Sequence, residues 1–173
     1  MFPEVNRAME YFLKHPLESI HLRELARRTQ FSPAGARKIL KKLTRQKLLL
    51  EQKVGNLLQY KANTDSPDWL PIKRAYNIFA LHKSGLAEAL IAAYEDPQAV
   101  IVFGSYARGE DTEKSDIDIA VISTKEVEVN LAKYEKVLAR KINIMAIDMK
   151  ETKREFKNNL ANGVVLHGYV TLI

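Results

Sequence analysis

The chain has 173 residues, enough for one ordinary domain or two small ones, and its 46% hydrophobic and 28% charged composition excludes a disordered or fibrous protein. It contains no cysteine, which rules out disulfides and thiolate metal sites. No apolar run approaches the roughly 20 residues that span a bilayer, and the N-terminal MFPEVNRAMEYFLKHP lacks the layout of a signal peptide, so no membrane partner and a cytoplasmic location are expected.

The net charge of +6 is unevenly spread. Residues 1–66 hold 13 Lys and Arg against 6 Asp and Glu, whereas the remainder holds 14 against 15. Such segregation points to two modules, the basic one facing a polyanion; the plain alternative is a lysine-rich solvated surface.

In the first module, VNRAMEYFLKHP predicts a helix with Val5, Met9, Phe12 and Leu13 on one face, stopped by Pro16. HLRELARRTQ predicts a second helix burying Leu22, Leu25 and Ala26. In FSPAGARKILKKLTRQKL, Ser32 is placed to cap and Pro33 to take the first helical position, where its missing N–H costs nothing. Ala36, Ile39, Leu40 and Leu43 form the apolar stripe of this third helix, and Arg37, Lys38, Lys41, Lys42 and Arg45 cover its other side. LLLEQKVGNLLQYKA then predicts two short strands about Gly55-Asn56.

Helix, helix, helix and hairpin in this order resemble the winged helix-turn-helix family over residues 4–63, an all-α fold with a wing. The resemblance implies a recognition helix at 33–45, a wing at 53–61, and double-stranded DNA as partner, although some members of the family mediate only protein contacts. Base readout would fall to side chains near the helix start, such as Gln30, Ser32 or Arg37. Domain limits of 1–66 for this module, 67–96 for a helical linker and 97–173 for the second module follow from the turn-rich NTDSPDW at the first boundary and Asp96-Pro97 at the second. In the linker, Ala75, Ile78, Phe79 and His82 mark one face and Leu86, Ala89, Leu90 and Ala93 another, with Gly85 dividing two segments; the same helix would serve to pair subunits in a homodimer.

In the second module AVIVF, residues 99–103, reads as a buried strand ended by Gly104 and Ser105, a strand-to-helix turn whose backbone N–H groups suit an anion. The next strand, DIDIAVI, opens on two aspartates. Side chains two apart on a strand share a face about 7 Å apart, so Asp116 and Asp118 project together while Ile117, Ile119 and Val121 enter the other layer. Two carboxylates so placed repel unless a cation sits between them, and magnesium favours carboxylates combined with substrate phosphates.

Phe103, Gly104, Ser105, ten residues and then Asp116, Ile117 and Asp118 resemble the DNA polymerase β-like nucleotidyltransferases, and GSYARG with SDIDIAVI is especially similar to the minimal members of that family. The likeness covers about residues 98–168 and implies an α/β (α+β) fold. It implies Gly104 and Ser105 at the β- and γ-phosphates of a nucleoside triphosphate such as ATP. Two Mg2+ ions would lie on Asp116 and Asp118, and Arg108 would orient a phosphate or else form an ordinary salt bridge. It also suggests a small helical protein partner. The family's third carboxylate falls at Asn143, in RKINIM, so the expected catalytic set of Asp116, Asp118 and Asn143 lacks a base; Asp148, five residues on, projects to the opposite face unless a bulge turns it. Two functions stay open: an active transferase, or a DNA-binding regulator whose degenerate second module binds nucleotide or serves dimerisation.

Overall fold

A computed structural model describes residues 6–171. The chain divides into two compact units, Met1–Lys73 and Arg74–Ile173.

The first unit runs α1 (Arg7–Lys14), β1 (Ile20–His21), α2 (Leu22–Thr29), α3 (Pro33–Arg45), β2 (Leu49–Val54) and β3 (Leu57–Ala62). Asn6 caps α1 by accepting from the Ala8 and Met9 N–H groups, each at 3.1 Å. Met9, Phe12 and Leu13 are buried, as the spacing predicts, and His15 closes the helix one residue before Pro16. Val5, placed on the same stripe, lies outside the described residues. In α2, Leu25 and Ala26 are buried, but Leu22 is only half-buried. Leu22 is the first helical residue, and the core position beside it is taken by Ile20 of the preceding two-residue strand, an element the periodicity does not predict.

Ser32 caps α3, its hydroxyl accepting from the Gly35 N–H at 3.1 Å, with Pro33 at the first position. Ala36, Leu40 and Leu43 are buried and Ile39 half-buried. The hairpin closes with Val54 opposite Leu57 and Gly55 at φ +61 first in its two-residue loop, the glycine position of a type II′ turn. β3 lies centrally, antiparallel to both neighbours, in the order β1-β3-β2. Burial, reinforced by a hydrogen bond to Glu51, pushes the Tyr60 hydroxyl up to about 12.

The stretch 67–96, expected as a helical linker, is shared between the two units. The division falls inside α4 (Trp69–Ser84), and α5 (Leu86–Ala93) belongs to the second unit. Leu81, Leu86, Leu90 and Tyr94 join that unit's core because a helix with an apolar stripe is stabilised by burying it against a sheet. Gly85 divides the two helices at φ +75, as expected. Of the face read through Ala75, Ile78, Phe79 and His82, Ile78 is half-buried against the core and the other three turn to solvent, with Phe79 61% exposed. The buried stripe instead includes the polar Asn77, which disguises it in the sequence.

The second unit continues with β4 (Ala99–Phe103), α6 (Gly104–Arg108), β5 (Ile117–Ile122), α7 (Ala132–Leu138), β6 (Ile142–Ile147), α8 (Arg154–Ala161) and β7 (Val164–Gly168). The sheet order is β6-β5-β4-β7; β5 and β6 are parallel across the α7 crossover, and β4 is antiparallel to both of its neighbours. One face carries Val100, Val102, Ile117, Ile119 and Val121, packed with Tyr134 and Leu138 of α7 as well as α4 and α5 residues. Ala99, Ile101, Phe103, Ala120 and Ile122 form the other, covered by Leu160 and Phe156 of α8. β4 is buried on both faces, which is why it reads as an unbroken apolar run. Asp118 shares the second face, but it stands next to the start of β5, opposite the last residue of β4, and so emerges at the sheet end.

Candidate functional site

β4 delivers the chain to Gly104, and the β4–β5 register sets Phe103 opposite Asp118. Gly104 has φ +73, and a Cβ built there would stand 3.0 Å from Asp118 Oδ2. Glycine therefore serves twice: it takes the left-handed turn without penalty, and it lets backbone approach the carboxylate closely. Ser105 follows, half-buried, in the first turn of α6.

Asp116 stands exposed just ahead of β5, after a turn in which the Thr112 N–H donates to Ser115 Oγ at 3.0 Å and the Ser115 N–H to the Thr112 carbonyl at 3.1 Å. The parallel register then sets Asn143 of β6 beside Asp118. The Asn143 amide nitrogen donates to Asp116 Oδ2 at 3.3 Å and to Asp118 Oδ1 at 3.1 Å. Two carboxylates thus converge on one point, and a side-chain amide donor sits at that point. The alternation that puts Asp116 and Asp118 on one face is legible in the sequence; the cross-strand register that brings Asn143 to them is not.

The donor set suits a hard divalent cation: two carboxylates, with the Asn143 carbonyl oxygen reachable by turning the amide over. Among the described residues no group of three His, Cys, Asp or Glu side chains converges in a metal-holding arrangement. Asp148 does not complete the set. It follows the far end of β6, about 17 Å along the strand from Asn143, accepts from the Lys150 N–H at 2.8 Å, and lines a different open cleft with Asp96 and Lys125. Arg108 donates through Nε to Glu110 Oε2 at 2.7 Å, both half-exposed, so of its two expected roles the structure displays the ion pair.

Behind the turn lies a buried polar network with no counterpart in the sequence motifs. Asn77 donates to Asp111 Oδ1 at 2.6 Å and to the Tyr106 carbonyl at 2.8 Å. Arg140 Nη2 reaches Asp111 Oδ2 at 3.4 Å, the two side chains being 3% and 0% exposed. These bonds tie α4, the loop leading to Asp116 and the entry to β6, so they fix the two strands whose ends carry the acid pair and Asn143. Burial, and secondarily the Asp111 carboxylate, push the Tyr106 hydroxyl well above its usual range. In the sequence, Asp111 stands in GEDTEKSD and Arg140 in ARKI, charge-rich stretches that look solvated; no local signal marks them as buried.

In the first unit, Arg37, Lys38, Lys41, Lys42 and Arg45 are all exposed along α3, and among the described residues none is held in an ion pair. Pro33, Ala34, Arg37, Lys38 and Lys41 border a shallow surface groove. Of the three side chains considered for base readout, the Ser32 hydroxyl is engaged as the helix cap and Gln30 accepts from Arg7 at 2.9 Å, leaving Arg37 exposed. At the wing, Lys53 stands beside a tip where Val54, Leu57 and Leu58 are exposed.

Residues 87–169, all within the second unit, match the family model described as Polymerase beta, Nucleotidyltransferase. The match begins in α5, in keeping with the packing of that helix in the second unit's core. No curated protein matches the chain. A solved structure of Lactococcus lactis ZitR in complex with DNA is similar at 15% identity and a TM-score of 0.41, over 55% of this chain and 64% of that one, a likeness too slight to carry an argument. Among the described residues no helix is long and apolar enough to cross a membrane.

Proposed function

We propose that this protein binds DNA through its first unit and a magnesium–nucleoside triphosphate through its second, with slow transfer of the nucleoside monophosphate to an acceptor hydroxyl and release of pyrophosphate. The observation that carries the nucleotide reading is the convergence of Asp116 and Asp118 on one point beside the Gly104 backbone. In this reading Asp116 and Asp118 hold the metal, and the Gly104–Ser105 turn receives the β- and γ-phosphates through its N–H groups and hydroxyl. Bound magnesium would supply charge neutralisation on the polyphosphate. Asn143 completes the constellation sterically but accepts no proton, so the acceptor hydroxyl loses its proton without a protein base. The acceptor is met by the first unit, by a second subunit, or by a separate protein such as a small helical partner.

A second reading, binding without turnover, is favoured by the Asn143 amide itself, whose donors satisfy both carboxylates as a cation would. Both readings require nucleotide at the acid pair. Calorimetry with ATP and Mg2+ is expected to show binding to the wild type and none to Asp116→Ala; wild-type protein that binds no nucleotide would overturn both.

The order of three helices and a hairpin, with β1 against β3, supports a winged helix-turn-helix reading of the first unit, and the charge on α3 supports duplex DNA as its ligand. Transcriptional regulation is the role such a module would serve. Lys41→Ala with Lys42→Ala is expected to weaken retention on duplex of any sequence. It is also expected to flatten the slope of log affinity against log salt by about 2, close to one for each phosphate that is no longer neutralised. An unchanged slope would mark α3 as merely a solvated face.

A further inference from the structure

We propose that β2 of the first unit pairs antiparallel with β2 of a second copy, about a two-fold axis through Gln52, to form a six-stranded sheet across a symmetric dimer. β2 is an edge strand, bonded on one side to β3 and, among the described residues, to no other strand. Its ladder phase is defined: the Asn63 N–H donates to the Leu48 carbonyl at 2.9 Å, and Val54 faces Leu57 across a two-residue loop. In an antiparallel ladder alternate residues bond inward, so Leu50, Gln52 and Val54 spend their backbone groups on β3. Leu49, Glu51 and Lys53 therefore turn theirs outward, where β-augmentation takes place.

The strand's sequence then selects the partner. Read outward from Gln52, LLEQKV places Glu51 and Lys53 on either side and Leu50 and Val54 beyond them. A two-fold at Gln52 sets Glu51 opposite Lys53 of the second copy, twice, and both are residues with outward backbone groups, as a bonded pair requires. It also sets Leu50 opposite Val54 on the other face. These two are 50% and 48% exposed in the single chain, and Leu57, Val54's neighbour across the hairpin, is 56% exposed, so pairing gathers an apolar patch that is otherwise in water. The nearest symmetric registers are unfavourable. An axis at Glu51 opposes glutamate to glutamate, one at Lys53 opposes lysine to lysine, and shifting the register by one residue sets outward groups against inward ones. Natural edge strands commonly use charge to prevent such pairing; here the two charges are of opposite sign and symmetrically placed, so they specify it. Neither DNA nor nucleotide binding is needed for this pairing.

The test is sedimentation equilibrium of the full chain. The wild type is expected to form dimers. Lys53→Glu, and separately Glu51→Lys, turn two attractive cross-strand pairs into two repulsive ones and are expected to weaken the dimer by about tenfold or more. The double reversal, Glu51→Lys with Lys53→Glu, restores opposite charges across the axis and is expected to recover the dimer. Because Glu51 also accepts from Tyr60, Lys53→Glu is the cleaner single change, and thermal melts verify that each variant is folded. A monomeric wild type, a dimer insensitive to Lys53→Glu, or a double reversal that stays dissociated each overturns the proposal.

Discussion

Asn143→Asp is expected to convert the acid pair into a three-carboxylate site, tightening divalent cation binding and raising nucleotidyl transfer by about 10² to 10⁴, the usual worth of a positioned base. The cause lies in what the amide does. Its nitrogen lies 3.1 Å from Asp118 Oδ1 and 3.3 Å from Asp116 Oδ2, donating to both. A metal entering this point must displace those bonds and meets two negative charges where the substituted site would offer three. Aspartate at position 143 would remove the donor, add the charge and provide an oxygen able to take the acceptor's proton. Manganese titration followed by electron paramagnetic resonance measures the first effect, and transfer of label from radiolabelled ATP the second. Tighter metal binding with no gain in transfer would favour a nucleotide-binding module over a slow transferase. Unchanged metal binding would show that the two aspartates do not hold the ion.

The second large effect concerns stability. Asp111→Ala is expected to cost the second unit about 3 to 5 kcal/mol, because it leaves the Arg140 guanidinium buried without this carboxylate. It also removes the acceptor that Asn77 reaches at 2.6 Å. At about 4 to 8 °C per kcal/mol for a unit of this size, the melting temperature should fall by well over 10 °C. Replacing both charged partners together, Asp111→Leu with Arg140→Met, is expected to cost less than the sum of the single changes, since neither member of the pair is then left buried without the other. Strict additivity in that cycle, followed by calorimetric melting, would show that the pair is not coupled. The loop held by Asp111 leads directly to Asp116, so the same single variant should also loosen cation binding.

Part of this is readable along the chain. Patterns repeating within one element reveal themselves without a fold. The Ala36, Leu40 and Leu43 stripe places the basic side chains of α3 on its outer side, and the all-buried β4 shows as AVIVF. Asp116 and Asp118 are spaced to share a strand face for the same reason. Periodicity misleads where the buried stripe contains a polar residue: Asn77 interrupts the inner face of α4, and the more apolar pattern through Phe79 lies on the outer one. It is silent at Ile20, because a two-residue strand is too short to have a period.

What only the tertiary structure decided are the meetings between segments distant in sequence. The β5–β6 register brings Asn143 onto both aspartates 25 and 27 residues away, and the Asn77–Asp111–Arg140 network joins three segments whose charges look solvated one at a time. Local sequence sets which way a side chain leaves its own helix or strand, since that depends on backbone geometry over a few residues. Whether a charge is buried, and which amide faces which carboxylate, depends on how strands align across a sheet, and alignment is a property of the whole core.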